Sequence, residues 1–325
     1  MKSTIILLSF TVIIATIFAV NEKQITVHVA TWNVNEKKPS GDLDKLLGQL
    51  SNDPNERPDV VIVGLQEVTM SLHKAISNYF RTDRWSKDIE ETLSPRNYVK
   101  VKLGTLVGIV LNVYVKLDHA WTLDDVEVER VMTGFGGLYG NKGGVVIRFR
   151  LYGQSFCVVN SHFHAHDEEL DERIEDYQEI DKQRAEHCKN PSDYIFWLGD
   201  LNFRIEEDAK LTASKIQNVI LKGEFNELLE KDQLLVTKKS GRIFNGYNEA
   251  PITFRPTFKM VPDGGGLYNL KRRPAWTDRI LYKTESDKTI TPVLYKSIES
   301  YHHSDHYPVQ GEFKIFVDTD KINKL

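Results

Sequence analysis

Tyr194-Ile195-Phe196-Trp197-Leu198-Gly199-Asp200-Leu201-Asn202-Phe203-Arg204 carries five consecutive apolar residues to the edge of an acidic one. An unbroken apolar run of this kind suits a strand buried on both faces, whereas a half-exposed strand alternates. Such a strand can deliver the charge of Asp200 into a cleft. Asp200 and Asn202 flank Leu201, so in an extended segment their side chains point to one side. The carboxylate can then orient or deprotonate a water while the amide holds a phosphate oxygen. The bland reading is an Asx turn after a strand, and Gly199 fits either.

Further strand-like segments fall at 25–33, 60–65, 108–115, 145–151, 156–160, 252–258, 279–282, 292–297 and 313–317. Helical patterns fall at 168–188, 209–221 and 225–229, and Leu43, Leu46, Leu47 and Leu50 also stand at helical spacing. Strands outnumber helices, and repeats are absent. Two packed sheets with helices outside each, an α/β sandwich, fit this count. Pro262-Asp263-Gly264-Gly265-Gly266 reads as a flexible loop.

With 325 residues, 41% hydrophobic and 27% charged, the chain can bury one substantial core, expected over 21–325. Residues 1–20 differ: Lys2 precedes an apolar run over 5–20, with Ala19 offering a cleavage site. This is a signal-peptide pattern, since a run of about 16 residues is short for a span that needs roughly 20. The expectation is secretion, with a membrane anchor or a cytosolic setting as alternatives. Cys157 and Cys188 cannot make the dense disulfide framework of a small secreted module, and Cys157, in a strand-like run, reads as a buried thiol. The net charge is −4, and loss of Lys2 with the leader makes it one unit more negative. A chain this acidic must concentrate its basic residues locally to act on phosphates.

A second string, Pro274-Ala275-Trp276-Thr277-Asp278-Arg279-Ile280-Leu281, again sets a carboxylate among apolar residues. Three fragments accompany it: Thr31-Trp32-Asn33-Val34-Asn35, Leu65-Gln66-Glu67-Val68 and Ser304-Asp305-His306-Tyr307-Pro308. Asn33 and Glu67 stand at the carboxyl ends of expected strands, where oxygen donors suit Mg²⁺ or simply satisfy turns. Asp278 is expected to pair with His306, fixing its tautomer and raising its pKa so that the other nitrogen faces a phosphate. Asp305 adds negative charge beside the metal. His162, His164 and His166 would share a face on a strand, but zinc ligands usually converge from separated segments; His162 is better read as a donor to a phosphoryl group.

Through these five fragments the chain resembles the inositol polyphosphate 5-phosphatases of the exonuclease/endonuclease/phosphatase superfamily. The resemblance implies a four-layer αββα sandwich of two mixed β-sheets flanked by helices. It also implies Mg²⁺-dependent removal of the 5-phosphate from inositol 1,4,5-trisphosphate and phosphatidylinositol 4,5-bisphosphate. It makes Asn33 and Glu67 metal-site residues with Asp305 in support, Asp200 the base, Asn202 a phosphate ligand, and His162 and His306 transition-state donors, with Asp278 orienting His306. Gly140-Asn141-Lys142-Gly143-Gly144 matches another family segment, with Lys142 facing a ring phosphate. Lys259, Lys271 and Arg272 match the region that reads the 4-phosphate, with Arg273 as an addition; a basic run is otherwise solvated surface.

His164 stands where the family usually has a small residue, and Glu172-Arg173-Ile174 replaces a more basic, polar stretch. Phe135, Leu138 and Tyr139 suit either an apolar loop tip dipping into a bilayer or packing against the sheet. A monomer is expected. The competing readings are a DNase-like nuclease, disfavoured by the acidic net charge, and a secreted ligand carrier such as a haem-binding relative that keeps the fold.

Overall fold

Strand residues rich in Val, Ile and aromatics gather into two six-stranded sheets in the computed structural model, which describes residues 22–69, 83–133, 142–189, 191–206 and 211–319. The first sheet runs in the order β11 (Thr291–Ser297), β12 (Val309–Asp318), β1 (Glu22–Asn33), β2 (Val60–Gln66), β4 (Ile109–Lys116), β3 (Tyr98–Leu106). The second runs β5 (Leu123–Met132), β6 (Gly143–Leu151), β7 (Gln154–His162), β8 (Tyr194–Asp200), β10 (Asp278–Lys283), β9 (Asn248–Glu249). Each sheet is mixed: β1 and β2 are parallel, as are β7 and β8, and the other described pairs are antiparallel.

Successive residues of a strand point to opposite faces, and here both faces are covered. In β8, Tyr194, Phe196 and Leu198 enter the core between the sheets, where they meet Val27, Val29 and Ile62 of the first sheet. Ile195 and Trp197 point the other way, toward Ile174, Tyr177 and Ile180 of helix α2 (Leu170–His187). Across the molecule, Ala30, Trp32, Val61 and Val63 pack against Trp85, Ile89 and Leu93 of helix α1 (Arg84–Leu93). Helix, sheet, sheet and helix make the four layers. Shorter helices α3 (Ala213–Leu221), α4 (Asn226–Leu229) and α5 (Gln233–Lys239) follow β8.

Several sequence expectations change. Residues 43–50 form turns, not a helix, because Gly41, Gly48 and Gln49 all adopt positive φ; the leucines still bury themselves beside α1. Residues 252–258 form no strand, since Pro251 and Pro256 lack the N–H that a ladder needs, and only Phe258 makes isolated bridges. The glycine-rich segment after Pro262 is a hydrogen-bonded turn. Cys157 is not a free thiol: it is disulfide-bonded to Cys188, joining β7 to the C-terminal end of α2 across a Cα–Cα distance of 5.9 Å. Among the described residues no helix is long and apolar enough to cross a membrane. The expected leader at 1–20 and the loop residues Phe135, Leu138 and Tyr139 lie outside the described residues.

Candidate active site

Strand register brings the first functional groups into line. The last residues of β7 and β8, His162 and Asp200, are ladder partners, and Asp278, the first residue of β10, pairs with Asp200 from the other side. The ladder closes tightly here because Gly199, at φ +150°, has no Cβ; one built there would lie 2.0 Å from the Ser161 carbonyl oxygen. From the opposite sheet Asn33 ends β1 and donates through Nδ2 to Asp200 Oδ2 at 2.9 Å, so one hydrogen bond spans the sandwich. Glu67 follows β2 with φ 53°, which turns it out of the strand. His306 sits in the connection before β12, where its carbonyl accepts from Trp32 Nε1 at 3.0 Å. Ser304 Oγ donates to the Asn33 carbonyl at 2.6 Å and accepts from the His306 N–H at 3.2 Å.

His306 Nδ1 lies 2.9 Å from Asp278 Oδ2, which also accepts from Thr257 Oγ1 at 2.6 Å and Thr277 Oγ1 at 2.9 Å. Burial alone would keep the imidazole neutral. The charges of Asp278 and Asp200 outweigh it and raise the ring to about 10, so it is an imidazolium at neutral pH. Its Nε2 stands 3.9 Å from Asp200 Oδ2. Burial likewise opposes ionisation of Asp200, but His306, His162 and Lys142 hold its carboxyl well below the usual range. Asp200, Asp278 and His306 offer ligand atoms within 4.8 Å of one another. Because Asp278 Oδ2 already accepts from two hydroxyls and the ring, this trio reads as a clamp on His306 more than as a metal cage.

His162 Nε2 is 2.6 Å from Lys142 Nζ, 3.4 Å from Asp200 Oδ2 and 3.8 Å from Glu67 Oε1. Burial and the Lys142 charge lower the His162 pKa. Burial also brings Lys142 down to about 8, against the pull of Asp200, Glu67 and Asp176. In this pair the ammonium donates and the neutral ring accepts. His164 turns away: its N–H and Nδ1 both meet Asp176 Oδ2, at 2.7 and 2.8 Å. With His166 at φ 79°, the three histidines do not share a face.

Asn202 adopts φ 55°, so the Asp200–Asn202 segment is not extended, and the Asn202 N–H closes onto Asp200 Oδ1 at 3.2 Å. Its Nδ2 donates to the Phe163 carbonyl at 3.0 Å, and its Oδ1 accepts from Arg204 Nη2. Arg204 had no assigned role in the sequence. Its guanidinium is buried, lies 4.6 Å from the centre of the Phe258 ring and forms no ion pair among the described residues. Gln233 Oε1 accepts both the Arg204 N–H at 2.9 Å and Arg173 Nη2 at 2.8 Å. Arg173 also holds the carbonyls of His164 and His166, fixing the loop after β7. Beneath the site, Asn160 bonds Gln66 and the carbonyls of Leu65 and Val110, a second polar link between the sheets.

A cavity of about 210 Å³ opens over these groups. Glu67, His162, Asp200, Asn202, Lys259, Arg272, Asp305 and His306 line it, joined by Arg204. Asn33 and Asp278 stand behind, bonded to lining residues. Lys259 Nζ pairs with Asp305 Oδ2 at 2.7 Å. Lys271 is exposed outside the lining, and Arg273 is spent on Asp167 and the carbonyls of Ile205 and Glu206.

A model of endonuclease/exonuclease/phosphatase family 2 matches residues 30–312. The chain is 40% identical over 302 residues to a type II inositol 1,4,5-trisphosphate 5-phosphatase of Mus musculus, covering 89% of this chain and 29% of that relative's length. The inositol polyphosphate 5-phosphatase domain of SpSynaptojanin, solved with inositol (1,4)-bisphosphate and a calcium ion, superposes with a TM-score of 0.78 at 30% identity, over 93% of this chain and 88% of that one. Cimex nitrophorin, in its ferrous NO complex, gives a TM-score of 0.75 at 28% identity, over 90% of this chain and 99% of that one.

Proposed function

The chain belongs to the inositol polyphosphate 5-phosphatases of the endonuclease/exonuclease/phosphatase family, and from that premise we propose that it is a phosphoric monoester hydrolase. Its reaction is Mg²⁺-dependent removal of the 5-phosphate from inositol 1,4,5-trisphosphate and phosphatidylinositol 4,5-bisphosphate. One observation carries the reading: Asp200 lies between Asn33, His162 and His306 at a single cavity, although these residues come from four distant parts of the chain.

A carboxylate kept ionised by its neighbours is an acceptor aimed at a water, which it orients and then deprotonates as attack proceeds. Charge accumulating on the phosphoryl oxygens meets the His306 imidazolium, the Lys142 ammonium and the Arg204 guanidinium, all fixed before substrate arrives. Asp278 keeps the His306 ring in one orientation. Lys259 and Arg272, at the cavity wall, suit a second ring phosphate.

The oxygen donors Glu67 and Asp305, with Asn33 behind them, fit a hard cation better than zinc. Bound there, Mg²⁺ supplies Lewis-acid polarisation of a phosphoryl oxygen. We propose a secreted monomer. The apolar leader supports export, and the Cys157–Cys188 disulfide suits an oxidising compartment.

The nitrophorin likeness favours a second reading, a ligand carrier on the same fold. Against it, both cysteines are tied to each other and offer no thiolate to a haem iron, and the cavity is lined by ionic groups. Phosphate release should be measured on soluble and lipid inositol phosphates and on DNA, with Mg²⁺ or chelator, beside an absorption scan for a Soret band after haem addition. Mg²⁺-dependent release from inositol substrates without a Soret band is expected. DNA cleavage in preference to every inositol substrate, or stoichiometric haem uptake without hydrolysis, would overturn the assignment.

A further inference from the structure

Three of the nine large apolar side chains exposed among the described residues fall within ten positions of one another: Val261 at 38%, Leu267 at 60% and Leu270 at 40% exposure. Scattered exposed apolar residues need no explanation, but a cluster on an ordered element beside a cavity does. The element is a short hairpin-like turn. Met260 bridges Tyr268, the Val261 N–H donates to the Leu267 carbonyl at 2.8 Å, and the Asn269 N–H donates to the Lys259 carbonyl at 2.8 Å. Met260 and Tyr268 point inward and are buried, with the Tyr268 hydroxyl on the Pro256 carbonyl at 2.7 Å, so Val261 and Leu267 are turned outward. The turn is seated closely: a Cβ on Gly266 would lie 2.9 Å from Arg255 Nη2 and 3.1 Å from the Tyr307 hydroxyl.

Both ends of the turn run into the cavity wall, through Phe258 and Lys259 on one side and Arg272 on the other. Lys271 and Arg272 are exposed next to Leu270. The acidic group within the turn, Asp263, has His303 Nδ1 at 3.5 Å. A firmly held apolar tip with cations at its base, standing at the mouth of a cavity, has the chemistry of an interfacial anchor on an anionic bilayer.

We infer that residues 261–270 are a membrane wedge: Val261, Leu267 and Leu270 enter the headgroup–acyl boundary of an anionic lipid surface, while Lys271, outside the cavity lining, meets its phosphates and holds the cavity against the bilayer. The inference rests on the phosphatase reading for its purpose but not for its test. The full chain is sedimented with phosphatidylcholine vesicles with and without phosphatidylserine, both lacking phosphoinositide, and compared with Leu267→Ser/Leu270→Ser. The wild type should sediment with the phosphatidylserine vesicles, and the variant should bind them at least roughly tenfold more weakly. Hydrolysis of phosphatidylinositol 4,5-bisphosphate in such vesicles should fall in step, and hydrolysis of soluble inositol 1,4,5-trisphosphate should not change.

Equal sedimentation of the two proteins, or a wild type that ignores anionic vesicles, overturns the wedge and leaves the surface to a protein partner. Absence of soluble hydrolysis in both proteins counts against the phosphatase reading, while sedimentation still decides the wedge. If the double variant does not fold, the milder Leu267→Ala reads the same loss.

Discussion

Arg204 holds a buried positive charge at the cavity and is shared between Asn202 and the face of Phe258. Replacing it with Gln keeps some hydrogen bonding and removes the charge; kcat/KM on inositol 1,4,5-trisphosphate should fall on the order of 10²-fold, as for loss of one preorganised donor. A variant with unchanged kinetics would make Arg204 a packing residue only. Lys142 sets a pH dependence. It is charged below about 8 and neutral above, while His306 stays charged to about 10, so activity should decline as pH rises through about 8. Lys142→Arg, which cannot lose its proton there, should move that limb upward in a kcat/KM profile. The Asp278–His306 pairing and the carboxylate of Asp200 were legible as residue types in short strings. Arg204 stood in the same string without a role, because its meaning depends on Phe258 and Gln233, which only folding brings near.

Among elements, β7, β8 and α2 form a unit stapled by Cys157–Cys188, whose 31-residue separation closes a sizeable loop. Removing the bridge with Cys157→Ser/Cys188→Ser should cost about 3–4 kcal/mol in urea unfolding. Neither cysteine lines the cavity, so kcat of the remaining folded protein should be unaltered. A loss of kcat at full stability would contradict this separation of roles. The buried strands were readable because covering both faces of a sheet leaves continuous apolar runs, as in β2 and β8. The edge strands β3 and β5 were not: β3 carries Lys100 and Lys102, β5 carries Asp124, Asp125, Glu127 and Glu129, and neither shows an uninterrupted run. Helix α1 was missed although Trp85, Ile89 and Leu93 stand at helical spacing and Asp83 caps it by accepting from the Ser86 N–H.

For the whole molecule, stability and activity share the sandwich. His28, fully buried in β1, binds the Leu46 carbonyl at 2.9 Å through Nε2, and its Nδ1 has no partner among the described residues, so burial lowers its pKa to about 4. The unfolded chain takes up that proton near the ordinary value of 6.5. Stability is therefore intact above 6.5 and falls as pH drops toward 4, by up to ~3 kcal/mol from this group. His28→Gln should flatten that part of a pH–stability curve measured by urea unfolding, and an unchanged slope would remove His28 as its source. Four layers could be inferred from strand and helix counts and from family resemblance, but the disulfide and the Asn33–Asp200 bond between sheets could not, since both join segments far apart in the chain. The most direct test of the central claim is the rate of phosphate release from inositol 1,4,5-trisphosphate in Mg²⁺ by the wild type and by Asp200→Ala. The account predicts release by the wild type and a loss of at least roughly 10²-fold in the variant; equal rates would contradict it.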